Sequence, residues 1–193
     1  MVGSFKVLKI FVLLCFFVGC NSTKEQSEIG ENIINDNADL FISNLFRLPS
    51  KDTPIFVIKN VGFSNFIIEH CEAIIEMGGL SLIENCKKDL FELINKEGFD
   101  INENTKYASF DINEFSSKHN VKLKTKGANI EEKEYIKVIF SNFFVDNKKG
   151  RAFIIVQESD VSRERKEGKV NIYFFAKKNS KWLYMKKRML LTT

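Results

Sequence analysis

Residues 135–191 read YIKVIFSNFFVDNKKGRAFIIVQESDVSRERKEGKVNIYFFAKKNSKWLYMKKRMLL. Four runs rich in β-branched and aromatic residues are separated by DNKKG (146–150), a charged stretch over 160–168, and KNS (178–180). The pattern predicts strands over 136–145, 151–159, 169–178 and 181–191, with a fifth at 121–126 in VKLKTKG. Links this short demand antiparallel pairing, because a parallel crossover takes about a dozen residues or more. The expected product is one antiparallel meander of about five strands. Alternation puts Val138, Phe140, Ile154, Val156, Ile172 and Phe174 on one face. Ile139, Phe143, Phe153, Ile155, Tyr173 and Phe175 fall on the other. Burying one Phe is worth about 1.5–3 kcal/mol, so neither face can be left in water. Helices are expected over one face only; the other needs a curled sheet or a docked partner.

The helices come from the N-terminal half. DNADLFISNLFRLP (36–49) spaces Ala38, Phe41, Ile42, Leu45 and Phe46 at helical intervals, with Asp36 as cap and Pro49 as stop. TPIFVIKNVG (53–62) is a short strand or a buried loop. Beyond it, Phe63, Ile67, Cys71 and Ile74 share one helical face, and Ile83, Cys86, Leu90, Leu93 and Ile94 share another. Ser81 and Glu84 form a capping box, and Gly78 and Gly98 stand where helices stop. Two antiparallel helices joined at Gly78-Gly79 follow. Cys71 and Cys86 are symmetric about that turn and are expected to form a disulfide, worth about 3 kcal/mol in the loop-entropy account.

The fold class is therefore α+β, with N-terminal helices packed on a C-terminal antiparallel sheet. The ending KKNSKWLYMKKRMLL, a turn followed by Lys181-Trp182 on a last strand, resembles the closing hairpin of NTF2-like and cystatin-like domains. The resemblance covers roughly residues 120–193 and implies a strongly bent sheet wrapped around the helices.

The chain starts differently. Lys6 and Lys9 precede or interrupt an apolar run from Val7 to Val18, which ends at Gly19 and Cys20. A positive start, a short apolar core and a small residue make a secretory signal. The run falls short of the about 20 residues that a membrane-spanning helix needs. Phe17-Val18-Gly19-Cys20 resembles the lipobox of bacterial lipoproteins, although Phe17 stands where that family usually has Leu, Val or Ile. The resemblance implies cleavage before Cys20, acylation of its sulfur and amine, and anchoring in a lipid bilayer. Asn21, rather than Asp, favours the outer over the inner membrane. The expected organisation is a signal peptide at 1–19, a flexible polar tether at 20–35 and a single domain at 36–193.

With 44% hydrophobic residues and 19 Phe, the chain can fill a core. Its net charge of +4 hides an asymmetry. Residues 24–100 hold 7 basic and 14 acidic side chains, whereas residues 148–193 hold 13 and 4. The halves can attract each other inside one domain, or the basic part can meet an anionic partner such as a lipid surface or an acidic glycan. Export makes nucleic acid an unsuitable partner.

Catalytic motifs are missing: no Gly-rich phosphate loop, no Gly-x-Ser-x-Gly, no His-Glu-x-x-His. His70, Cys71, Cys86 and His119 match no common zinc spacing. The expectation is no cofactor, no metal and no catalytic set. EEKE (131–134) and RERKE (163–167) read as solvated turns, and Trp182 and Tyr184 as core closure among lysines. The leading functional expectation is a membrane-anchored, non-enzymatic envelope module binding a protein, a glycan or an apolar ligand at the sheet face. The alternatives are an NTF2-like hydrolase with a site assembled by folding, and a structural or assembly subunit.

Overall fold

The computed structural model describes residues 24–45, 52–73, 80–162 and 166–192. Residues 24–36 are helical (α1), and a break at Asn37 leads into α2 (Ala38–Ser43). Strands β1 (Ile55–Ile58) and β2 (Asn60–Val61) precede helices α3 (Phe66–Ala73) and α4 (Leu80–Asn95). Next come β3 (Phe110–Asp111), β4 (Val121–Lys124), β5 (Tyr135–Asp146), β6 (Arg151–Val161), β7 (Lys166–Lys178) and β8 (Lys181–Thr192). The main sheet has the order β4-β1-β5-β6-β7-β8, and β2 pairs antiparallel with β3.

The α+β class and the antiparallel β5–β8 meander follow the strand pattern. β4 does not. It was expected beside β5, yet β1 lies between the two and runs parallel to both. The composition explains the insertion. β1 is IFVI, buried at all four positions, and belongs inside a sheet. VKLK, with Lys122 and Lys124 alternating, suits an edge.

Coverage of the faces also departs from expectation. Ala152, Ile154 and Val156 of β6 belong to one core, and Phe153 and Ile155 to another. Since alternate residues of a strand point to opposite faces, the two cores lie on opposite sides of the sheet. The first is closed by Ile33 and Ile34 of α1, Phe41 and Ile42 of α2, and Phe110 and Ile112. The second is closed by Phe66 and Ile67 of α3, Ile94 of α4, and Phe99 and Ile101. The helical half therefore divides between both faces, and neither curling nor a docked partner is required. The sheet is open and not strongly curled, unlike the bent sheet that the NTF2-like resemblance implied.

Two face assignments change with it. Phe143 shares a core with Phe140, because a register shift between Ser141 and Phe144 reverses the alternation of β5. Tyr173 and Phe175 join that same core, while Ile172 and Phe174 face Phe99. Alternation orders side chains within β7, but the pairing Ile154↔Tyr173 sets its phase against β6.

The polar stretch expected to be a tether is mostly helix. Ile29, Ile33 and Ile34 line one side of α1, and the last two are fully buried. A Cβ on Gly30 would lie 2.4 Å from Phe110 Cζ and 2.9 Å from Phe143 Cε1, so the α1 backbone packs directly on these rings. Residues 20–23 of that stretch lie outside the described residues. Glu31 accepts hydrogen bonds from the Asn113 backbone and side chain at 3.0 and 2.8 Å, tying α1 to the chain after β3. Asp39 of α2 likewise accepts from Ser117 Oγ and the Lys118 N–H at 2.9 and 2.8 Å. These bonds hold its carboxyl below the usual carboxylate range. Asp36, expected to cap α2, instead ends α1, and Phe46 and Pro49 lie outside the described residues.

Cys71 in α3 and Cys86 in α4 are joined by a disulfide with Cα atoms 5.7 Å apart. The Gly78-Gly79 turn and the Ser81 side chain lie outside the described residues. Phe63 precedes α3 and is 53% exposed, so it leaves the stripe assigned to it. At the far end, Gly98 has φ +86 and follows the last turn of α4, a conformation that favours glycine. Asn95 then exchanges two 2.9 Å hydrogen bonds with the Ile101 backbone and directs the chain back across the second core.

Strand β8 is an edge. It exposes Leu183, Met185 and Met189, and also carries Lys181, Lys186, Lys187 and Arg188, cations that discourage edge-to-edge pairing. Glu97, just past α4, forms ion pairs with Lys186 and Arg188 and so pins β8 to the helical half. Hydrogen bonding from Lys186, aided by both cations, lowers the Glu97 pKa against the opposing effect of burial. A carboxyl with a depressed folded-state pKa adds stability that is complete above its unfolded pKa and is lost as pH falls through the folded one. Thermal midpoints measured from about pH 7 to about pH 3 should therefore fall less steeply for Glu97→Gln than for the parent. Parallel acid limbs would show that the clamp contributes nothing.

Candidate functional site

The helix pair α3–α4 covers the β6–β7–β8 side of its face, since the second core takes its sheet residues from β6 and β7, from Leu190 and Leu191 of β8, and from Phe144. The β4–β1–β5 half is roofed by the loop after β4. Between them lies a cleft of about 470 Å³, lined by Ile58, Asn60, Ser64, Lys126, Tyr135, Lys137 and Ile139 with residues 127–130. Its floor is apolar. Phe56 packs edge-on against Tyr135 with ring centroids 5.7 Å apart. Lys126 and Lys137 line the cleft, and outside the lining Lys122 and Lys124 lie 5.7 and 5.6 Å from the Phe56 ring centre.

Of these lysines, Lys122 pairs with Glu132 at 3.5 Å, and this contributes to the lowered pKa of Glu132 behind a backbone hydrogen bond. Lys126 donates to the Phe63 carbonyl and to Ser64 Oγ. Among the described residues, Lys124, Lys126 and Lys137 have no carboxylate partner within ion-pair distance. The loop is held in place by the Lys126 N–H donating to Asn60 Oδ1, while Asn60 Nδ2 donates to Asp111 at 2.6 Å. Unpaired cations around an aromatic and aliphatic floor can receive an anionic group attached to an apolar surface.

Ser64 also lines a second cavity of about 340 Å³, with Gly62, Asn65, Thr105, Lys106, Tyr107 and Asn142. Its lining is mixed, the polar share slightly the larger. Asn142 is 1% exposed and has φ 48, a left-handed backbone that Asn tolerates better than most residues. It sits in the β5 register shift, and its Nδ2 donates to Asn65 Oδ1 at 2.6 Å. Asn142 Oδ1 and the Tyr107 hydroxyl are both buried. Burial pushes the Tyr107 pKa up to about 12, against a side-chain hydrogen bond with Asn142 that lowers it.

A third polar group lies within the first core. Asn171 Nδ2 donates to the buried Glu158 carboxylate at 2.9 Å. Burial first, and the Glu158 charge second, raise the Tyr173 pKa. The side chain of Tyr173 packs on Phe41 at 5.0 Å, and the group is enclosed by core side chains.

The residues singled out in the sequence are not brought together in either cavity. Cys71 and Cys86 are bonded to each other on the helix pair. His70 stacks on Phe66 at 5.1 Å. His119 is exposed after β3, its N–H donating to Ser117 Oγ at 3.2 Å. Among the described residues, no three His, Cys, Asp or Glu side chains are grouped to hold a metal ion. Trp182 and Tyr184 are half-buried against the first core. Cys20 lies outside the described residues, as do residues 163–165 of the charged turn. The cleft lysines and the Asn142 pocket were not singled out. The one available signal was Ser141-Asn142, two polar residues interrupting an otherwise apolar strand, a place where a bulge fits.

No family model matches this chain, and neither the curated proteins nor the solved structures contain a match to it.

Proposed function

We propose that this chain is a bacterial envelope lipoprotein, tethered to the outer membrane through acylated Cys20, whose domain is a non-enzymatic module binding an anionic glycan. The observation that carries the reading is the cleft over β1 and β5. Lys126 and Lys137, without a carboxylate partner among the described residues, line it together with Tyr135, Ile139 and Ile58. Lysines attract uronate or sulfate groups, and the ring and isoleucines offer a surface to the C–H faces of sugars. Asn60 and Ser64 add hydroxyl-directed groups at the rim. The basic excess of residues 148–193 steers anions toward the domain over longer range. Among the described residues no helix is long and apolar enough to cross a membrane. In this reading attachment rests on the acyl chains, two or more of which hold firmly.

Titration with uronic-acid and sulfated oligosaccharides tests the module. Lys126→Glu/Lys137→Glu should weaken binding by about tenfold or more and flatten its salt dependence. Unchanged affinity and salt dependence in that variant would end the cleft reading. For the anchor, Cys20→Ala should abolish acyl labelling and leave the protein soluble or unprocessed. Full membrane partition at normal size would contradict it.

A further inference from the structure

We infer that the domain docks on the bilayer that carries its anchor through one end of the sheet, the β5–β6 and β7–β8 turns, with lysines of both turns meeting anionic phospholipid headgroups and Trp182 at the headgroup level. It rests on the acyl anchor proposed at Cys20 and adds an orientation: the cleft is held away from the membrane.

The start of the domain fixes which end is near the membrane. Asn147, in the turn between β5 and β6, donates through Nδ2 to Glu25 Oε1 at 3.3 Å, so the first turn of α1 lies beside that turn. From there α1 runs down β5 and packs Gly30 against Phe143. Lys24 stands four positions after Cys20, and four residues reach at most about 14 Å. An acylated Cys20 therefore holds this end of the sheet close to the bilayer. Strands β5 to β8 alternate in direction, so the β7–β8 turn shares it: the Lys177 N–H donates to the Gly150 carbonyl at 2.8 Å. The cleft lies the other way. Its β5 residues run from Tyr135 to Ile139, and Ile139 precedes Asp146 by seven positions, about 20 Å of strand.

The end turned toward the bilayer is basic. Lys148, Lys177, Lys178 and Lys181 are exposed there and, among the described residues, have no carboxylate within ion-pair distance. The carboxylates nearby are already engaged. Asp146 takes Lys149 at 3.8 Å and Glu28 takes Lys24 at 3.9 Å. Glu25 accepts from Asn147, and Glu97 is held by Lys186 and Arg188. Residues 168–193 hold seven basic and no acidic side chains. At the β7–β8 turn, Asn179 and Ser180 have φ 49 and 63, which makes a tight two-residue link. Lys178 pairs directly with Lys181, and like charges opposite one another in a ladder repel. A phosphate between the two relieves that repulsion; a neutral partner does not. Beside them Lys177 lies 5.9 Å from the Trp182 ring centre. Trp182 is half-buried, and its apolar ring with one polar N–H suits the headgroup level. Leu183 is 45% exposed and stands about 10 Å along the strand from Ser180, a depth at which apolar side chains reach the acyl boundary. A soluble polyanion would meet the lysines and leave Leu183 in water, whereas an anionic bilayer receives both.

Trp182 is the only tryptophan of the chain, so its emission reports on this end of the sheet. The full chain, purified in detergent, is reconstituted into vesicles with brominated acyl chains, made of phosphatidylcholine alone or mixed with phosphatidylglycerol. Mass spectrometry of its N-terminal peptide reads the anchor independently. The bromines should quench Trp182 in the anionic vesicles and far less in the neutral ones, and about 1 M salt should remove the difference. Each lysine at an anionic surface favours the docked state about fivefold, so Lys178→Gln/Lys181→Gln should lower the docked-to-free ratio about 25-fold, and Lys148→Gln about fivefold. The double variant, freed of the opposed charges, should melt no lower than the parent. Equal quenching in both kinds of vesicle, no quenching in either, or unchanged quenching in Lys178→Gln/Lys181→Gln would overturn the docking. An acylated N-terminus without charge-dependent quenching would refute the docking and keep the anchor. Charge-dependent quenching of a chain that carries no acyl group would keep the docking surface and refute the anchor.

Discussion

A chain that starts at residue 37 should fail to fold cooperatively, whereas one that starts at residue 24 should unfold in a single transition. The polar look of residues 21–35 suggests that nothing is lost by removing them. The packing says otherwise. Ile33 and Ile34 are fully buried in the larger core, beside Ile29 and against the same assembly as Phe110 and Phe143. Each isoleucine is worth about 1.5–3 kcal/mol of burial. Removing the helix also uncovers the rings on which Gly30 rests and frees the segment that Glu31 ties down. The combined loss approaches the about 5–15 kcal/mol that holds a typical domain together. Urea titration followed by far-ultraviolet circular dichroism separates the outcomes. A cooperative transition at the same midpoint in both chains would mean that α1 is not part of the domain's core. The milder Ile34→Ala should lower stability by about 2–5 kcal/mol.

The second large effect is expected at the helix pair. Cys71→Ala/Cys86→Ala should cost about 3 kcal/mol through the 15-residue separation of the two cysteines, and lower the melting midpoint by about 6–12 °C. Helix α3 has eight residues, too few to persist without packing. It is held by the disulfide to α4 and by Phe66 and Ile67 in the second core. Cys71 is itself fully buried, so its loss also removes packing. Calorimetry with and without reductant gives the check. The parent should lose the same stability when reduced, and the double variant should not respond. A reductant response in the variant, or none in the parent, would show that this bond does not carry the stability assigned to it.

What could be read from the chain was whatever depends on near neighbours. Four of the sheet's strands, expected at 136–145, 151–159, 169–178 and 181–191, lie within three residues of where they form. Short links leave no other pairing, and the apolar runs are long enough to announce themselves. The pairing of α3 with α4 was legible from the spacing of Cys71 and Cys86, whereas the Gly78-Gly79 turn expected between them lies outside the described residues. Three things were not. IFVI carries no mark saying which strands flank it; β1 enters the sheet parallel to β4 and β5 because only the interior can bury both of its faces. EIGENIIN looks like a linker because one helical turn of isoleucines between polar residues becomes meaningful only when Phe110 and Phe143 are there to receive it. The division of the helices between two faces was hidden for the same reason: alternation orders side chains along each strand but not their phase across the sheet. Phase is set by pairing, and in β5 by a bulge at Asn142 that one left-handed residue creates. The candidate site lies along that bulge and that inserted strand. Tyr107 and Asn142 are 35 positions apart in the chain, and only the folded backbone brings their side chains together in one cavity.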